Sequence, residues 1–121
     1  MAVNVEFSPK ILSQGVPYQH NVEVAAASGA IQSVAGGIVF ITKGTAAALT
    51  LAVPYGDGAR LVIVSTTAAA HTVTIAAGFN GGGASKDVGT FGGAIGDGIV
   101  VVSYGGNWYV EPGGNTNVTL A

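Results

Sequence analysis

Apolar and polar residues alternate in short runs along most of this chain, and Gly, Asp, Asn and Pro separate the runs. Period-two alternation is the pattern of a strand with one face on a core, and its recurrence at roughly 8 to 12 residue spacing points to a small all-β sandwich or barrel. The pattern predicts strands at residues 21–26, 37–42, 47–53, 60–66, 71–77, 88–91, 99–104, 107–111 and 117–120. Residues 25–30, AAASGA, break the alternation around Gly29 and read as irregular.

Three pairs of strands read as hairpins. Gly105-Gly106 suits a two-residue primed turn, because glycine takes positive φ without steric cost. It pairs Tyr104 with Asn107, Ser103 with Trp108, Val102 with Tyr109 and Val101 with Val110. One face of this ribbon then carries Ile99, Val101, Trp108 and Val110, and the other Val100, Val102, Tyr104 and Tyr109, with Glu111 at its end. Antiparallel ribbons ordinarily keep one wet side, so a ribbon apolar on both sides is expected to be covered twice, by its own core and by a neighbour. A second hairpin is expected around the loop 67–70, pairing Thr66 with His71, Val64 with Val73 and Val62 with Ile75. Its reverse side, with Leu61, Ile63 and Ser65 against Thr72, Thr74 and Ala76, would pack on another sheet or subunit. A third is expected where Lys43-Gly44 separates 38–42 from the alternation of Leu49, Leu51 and Val53.

The expected fold is therefore all-β, a small antiparallel sandwich or barrel of jelly-roll type. Twenty glycines and few Leu, Glu, Lys or Arg argue against helices. Residues 21–121 form a single β domain, and residues 1–20, with Pro9 and Pro17 and little alternation, read as an extended N-terminal arm. The arm carries Phe7, Ile11, Leu12, Val16 and Tyr18, and side chains of this kind are expected to lie along a neighbour. Gly-Asp-Gly occurs at 56–58 and again at 96–98, each time before an apolar strand, and reads as a tight turn.

Charge sharpens this picture. Only 8% of the 121 residues are charged, against roughly 25% in ordinary soluble domains. A monomer of this size exposes about 6,000 Å², or roughly 600 Å² per charge, so much of the surface is expected to meet protein. A net charge of −2 lacks the basic footprint of a nucleic-acid binder. The chain has no cysteine, hence no disulfide or thiolate chemistry. Mean hydropathy is +0.54, yet no apolar run approaches the roughly 20 residues of a membrane span. The start MAVNVEFSPK has no basic and apolar leader, so synthesis in a cytoplasm is expected.

Catalytic constellations are not legible. A nucleophilic triad needs a histidine with an orienting carboxylate, and His20 and His71 are in no such motif; His71 reads as a hydrogen-bonded residue at the edge of a core. Asp57, Asp87, Asp97 and Glu111 are scattered singly, so neither a metal site nor a carboxylate pair is expected. The stretch 78–87, GFNGGGASKD, lacks the Gly-Lys-Ser/Thr ending and the following helix of a phosphate loop, and reads as a mobile surface loop. Neither a catalytic residue nor a cofactor is expected. Trp108 is expected in the core, and Tyr104 and Tyr109 between subunits or, as an alternative, stacked on sugar rings.

The segments ITKGTAAALTLAVP (41–54), GARLVIVSTTAAAHTVT (58–74) and GTFGGAIGDGIVVVSYGGNWYV (89–110) resemble the small β-rich domains of tailed-bacteriophage virions, found in capsid decoration, head-fibre and some tail proteins. The resemblance implies a charge-poor β protein, homo-oligomeric with a trimer favoured, that binds the major capsid protein on the outside of the head and cements the shell. Its contacts are expected at Phe7, Ile11, Leu12, Tyr18, Val100, Val102, Tyr104 and Tyr109. The alternative is a tail-fibre or receptor-binding module for host surface glycan. No nucleic acid or membrane partner is implied.

Overall fold

The computed structural model describes residues 21–121. Ten strands form two five-stranded sheets packed face to face: β1 (Val22–Ala25), β2 (Gly29–Ala30), β3 (Gly37–Ile41), β4 (Ala48–Thr50), β5 (Arg60–Ser65), β6 (Thr72–Thr74), β7 (Val88–Phe91), β8 (Gly98–Tyr104), β9 (Asn107–Thr116) and β10 (Val118–Leu120). The first sheet has the order β1-β3-β5-β8-β9 and the second β10-β7-β6-β4-β2. All nine predicted strands are present. The added one, β2, lies in the segment read as irregular, where two residues pair with β4. The sole regular non-strand element among the described residues is a single 3-10 turn, Gly83–Lys86.

The sandwich is as expected, but its pairing is mixed where antiparallel pairing was predicted. The first six strands alternate between sheets, so β1, β3 and β5 are parallel neighbours, as are β2, β4 and β6. The remaining strands close the sandwich with antiparallel pairs. Two expected hairpins are thereby replaced by arches. The chain crosses from one sheet to the other at 42–47 and again at 66–71. Ile38 and Val62 are partners in one sheet, and Leu49 and Val73 in the other. The physical reason lies in burial: Val39, Ile41, Leu61 and Ile63 are completely enclosed, as are Val73 and Ile75. The predicted hairpin would turn Leu61 and Ile63 to the opposite face of one sheet from Val73 and Ile75, whereas an arch sets the two groups facing each other across one core. Each such side chain contributes about 1.5–3 kcal/mol when fully buried.

The hairpin at Gly105-Gly106 has the predicted register, Tyr104 to Asn107 through Val101 to Val110. Both glycines have positive φ, 60° and 80°, as a type I′ turn requires. Trp108 is wholly buried and its Nε1–H donates to the Ala52 carbonyl at 2.9 Å, tying the first sheet to the β4–β5 connection. The stretch 78–87, read as a mobile surface loop, is anchored by Phe79, which is fully enclosed. Asn80 N–H donates to Trp108 O at 2.9 Å, and Val110 N–H donates to Asn80 Oδ1 at 2.8 Å. This loop thereby covers part of the free edge of β9.

The two arches stack through their polar groups. Thr66 N–H donates to Ile41 O at 2.9 Å and Thr67 Oγ1 to Lys43 O at 2.6 Å. Because that hydroxyl spends its proton on Lys43, it accepts from His71 Nε2–H at 3.0 Å, and His71 Nδ1 is left to accept from Ala47 N–H at 3.0 Å. His71 is completely buried, its ring edge-on to Phe91 with centroids 6.1 Å apart. Burial, with a smaller effect from Lys43, holds its pKa below the usual 6.5.

Neutral His71 belongs to the folded state, whereas an unfolded histidine takes up a proton near pH 6.5. The unfolded state therefore binds more protons below that pH, and stability falls on acidification. Thermal melts should show a lower Tm at pH 5 than at pH 7.5, and His71→Leu, though less stable, should lose much of that difference. An unchanged pH dependence in the variant would show that His71 is not its source.

Candidate functional site

The outward side of the first sheet is apolar from one edge to the other. Side chains on one pleat row run Val22, Ile38, Val62, Val100, and on the next Val24, Phe40, Val64, Gly98. A third row runs Arg60, Val102, Tyr109, with Tyr104 beyond it. Val22, Val24 and Tyr104 are 58%, 61% and 69% exposed, and the central valines are half-buried. Strands about 4.8 Å apart and about 17–20 Å long give this face some 400 Å², within the range of patches that commonly carry function.

Charge is nearly absent from it. Among the described residues, the charged side chains at outward positions of these strands are Arg60 and Glu111, and they neutralise each other. Arg60 Nε lies 2.7 Å from Glu111 Oε1, and a second bond joins the guanidinium to Oε2 at 3.2 Å. This fork holds the Glu111 carboxyl below its ordinary pKa and raises that of Arg60. Glu23 turns inward, where its carboxylate accepts from the N–H groups of Gln32 and Ser33 and from the Ser33 hydroxyl.

A shallow groove of about 190 Å³ crosses this face between Val62, Val64, Val100 and Thr116. Gly98 lines it and leaves no room for a side chain, since a Cβ there would stand 2.6 Å from the Ile63 carbonyl oxygen. Gly113 and Gly114, in the irregular part of β9, line the opposite wall, and Gly96 one end. Ile95, 71% exposed, stands beside Gly96.

The outward side of the second sheet is different in kind. Its rows run Thr119, Thr90, Thr72, Ala48 and Val88, Thr74, Thr50, Ala30. Hydroxyls there can bond to water, so that side needs no partner.

Of the residues singled out from sequence, Val100, Val102, Tyr104 and Tyr109 are brought together on the apolar face. Phe7, Ile11, Leu12 and Tyr18 lie outside the described residues. Sequence reasoning missed Val22, Val24, Ile38, Phe40, Val62 and Val64. For the last two the assignment of faces was inverted, since the hairpin register placed them on the core side with Val73 and Ile75. Leu61, Ile63 and Ser65, expected to pack on another sheet or subunit, are buried, the first two in the core shared with the second sheet, whereas Thr72 and Thr74, expected beside them, lie on the outward side of that sheet. The missed signal is an internal repeat in which IVFITKGTAAALTLAV (38–53) aligns with VIVSTTAAAHTVTIAA (62–77), at the separation of 24 that also divides Lys43 from Thr67 and Ala47 from His71. Such a period marks stacked strand-arch-strand units, not hairpins.

Among the described residues no group of three or more His, Cys, Asp or Glu could hold a metal ion, and no helix is long and apolar enough to cross a membrane. Asp57 accepts from Gly105 N–H at 2.9 Å, which ties its turn to the β8–β9 hairpin, and Asp97 accepts from Ala94 N–H at 2.9 Å within its own turn and from the Asn117 side-chain amide, so both carboxylates have structural partners. Comparison with protein-family models, with curated proteins and with solved structures gives no match.

The inward and outward sides of β8 can be tested with one charge. Val100→Lys should fold with a Tm within a few degrees of the parent. Val101→Lys, which buries an unpaired ammonium, should cost about 4 kcal/mol or more, lowering Tm by about 15 °C or abolishing folding. Equal effects of the two would contradict the assignment of faces.

Proposed function

We propose that this is a non-catalytic virion structural protein, a decoration or cement protein on the outside of a tailed-phage head, and that the outward face of its first sheet is where it meets other protein. The observation that carries this reading is an apolar sheet face whose two charges cancel. Water is a poor neighbour for such a face. A protein partner removes it from solvent at about 25 cal/mol per Å². The resemblance of roughly residues 37–120 to the small β-rich domains of tailed-phage virions supports the class of assembly, with the major capsid protein as partner and a homo-oligomer, a trimer favoured, as the attached unit. The mechanism is mass action: a protein that binds the assembled shell and not its separated subunits adds its binding free energy to shell stability, about 2.7 kcal/mol per site at a hundredfold excess over Kd.

A second reading, a module for host surface glycan, is favoured by one observation. Tyr55, 84% exposed, lies in the connection that Asp57 and Gly58 bind to the β8–β9 hairpin, and Tyr104 at that hairpin is 69% exposed. Two tyrosines at one end of a sandwich can stack on sugar rings.

Light scattering of the purified chain should give a small multiple of 11.9 kDa, and a monomer at micromolar concentration would contradict an oligomeric unit. The chain should cosediment with empty phage shells at fixed stoichiometry and raise the temperature at which they disrupt. Val100→Lys should reduce both effects. Binding to host cells or glycans that is lost in Tyr55→Ala and Tyr104→Ala, without binding to shells, would support the second reading and overturn the first.

A further inference from the structure

We infer that Asn80 is a site of spontaneous, irreversible modification, where the Gly81 backbone nitrogen displaces the side-chain amide and leaves aspartate or isoaspartate at the edge of β9. Three observations carry it. The first is the conformation of the loop that covers this edge. Gly82 N–H donates to Phe79 O at 2.9 Å, and Asn80 and Gly81 between them have φ of 57° and 71°, which makes 79–82 a type I′ turn. Positive φ at both central positions selects asparagine followed by glycine. The same pair is chemically labile, because glycine has no side chain to shield the attacking nitrogen. The second is access. Asn80 and Gly81 are both exposed, and a Cβ at Gly81 would meet nothing within 4 Å. Asn80 Oδ1 accepts from Val110 N–H, whereas Nδ2 donates to no group among the described residues and is free to leave into water. The third is context. Asn21 and Asn117 precede valine, Asn107 tryptophan and Asn115 threonine, whose side chains crowd the nitrogen that would attack.

The reaction needs no co-reactant but water. Gly81 N bonds to Asn80 Cγ and gives up its proton, Nδ2 gains one and departs as ammonia, and a succinimide ring closes. Water then opens the ring at Cγ, which gives aspartate, or at the main-chain carbonyl, which routes the chain through Cγ as isoaspartate. The ring cannot close within the intact turn. A ψ of about 30° at the first central position of a type I′ turn sets Gly81 N on the far side of the Cα–C bond from Cβ, so the turn must open first. Opening is opposed by the bond from Gly82 to Phe79, by Asn80 N–H on Trp108 O at 2.9 Å and by Val110 N–H on Asn80 Oδ1 at 2.8 Å. The fold thus sets the rate, through the fraction of time that this loop is open. The two products differ in effect. Aspartate keeps an oxygen for Val110 N–H and adds a negative charge at the edge. Isoaspartate adds a carbon to the main chain of a turn held by the enclosed Phe79 and by Phe79 N–H on Lys86 O at 2.8 Å. That turn no longer closes, and the edge of β9 at Trp108 and Val110 loses its cover.

Mass spectrometry tests this directly, because the tryptic peptide 61–86 holds Asn80 as its sole asparagine and has no glutamine. After the folded chain is held at mildly alkaline pH, that peptide should gain the mass of an amide-to-acid exchange. It should separate into two forms, one of them a substrate for isoaspartyl methyltransferase. The peptide 87–121, with Asn107, Asn115 and Asn117, should keep its mass. Val110→Pro removes one bond that holds the turn shut, at an edge position that tolerates proline, and should speed conversion about fivefold, the worth of one hydrogen bond. Amide exchange at Val110 should be faster in the isoaspartyl fraction than in the parent chain. An unchanged mass for 61–86 in the folded chain, under conditions that convert the same residues as a free peptide, would overturn the inference. Conversion that appears only once circular dichroism shows the chain unfolded would overturn it too. An unchanged rate in a folded Val110→Pro variant would overturn control by the turn.

Discussion

The stacking of one arch on the next, through Thr66 to Ile41, Thr67 to Lys43 and His71 to Ala47, governs the rest of the structure. Backbone groups in a connection that crosses between two sheets have no ladder to join, and leaving them unpaired away from water is costly. Here the second arch satisfies the first. The imidazole is central because one ring nitrogen accepts and the other donates, which bridges two arches with a single neutral side chain. Replacing it by an apolar residue leaves the Ala47 N–H without its acceptor, at a cost of about 1–3 kcal/mol for a buried donor.

From this stacking follows the parallel arrangement of the first six strands and the sense in which each faces. Once 42–47 and 66–71 carry the chain across the core, Leu61 and Ile63 must point at Val73 and Ile75, and period-two alternation turns Val62 and Val64 outward. The closing strands complete the effect: β8 adds Val100 and Val102 to the same side, and Gly98, beside Val64, lines the groove there. The second sheet obeys the same alternation with threonine in the outward positions. One backbone arrangement thereby makes a sandwich with one side suited to water and one suited to protein.

The charge deficit acquires a location in the same way. Arg60 and Glu111, remote in sequence, become neighbours because β5 and β9 flank β8, and their pairing removes the net charge from an apolar surface. Pairing of exposed charges adds little to stability. Its effect here is on what the surface can accept: a partner need not supply a counter-charge to either group.

Strand positions were legible from the chain alone because alternation and turn residues are local properties, and the register at Gly105-Gly106 was legible because a two-residue turn with positive φ at both positions admits only one pairing. That hairpin also exposed half of the candidate site, the side bearing Val100, Val102, Tyr104 and Tyr109. The other half was not legible. Alternation in 60–66 and 71–77 is satisfied equally by a hairpin and by an arch, and the two assign opposite faces to the core. Local sequence thus determined which residues form strands and which pairs of residues point together. Only the tertiary structure decided which set is inward, because burial of Val39, Leu61, Ile63 and Val73 in one shared core, with His71 satisfying the connection, is an interaction between segments 24 residues apart that no single strand contains.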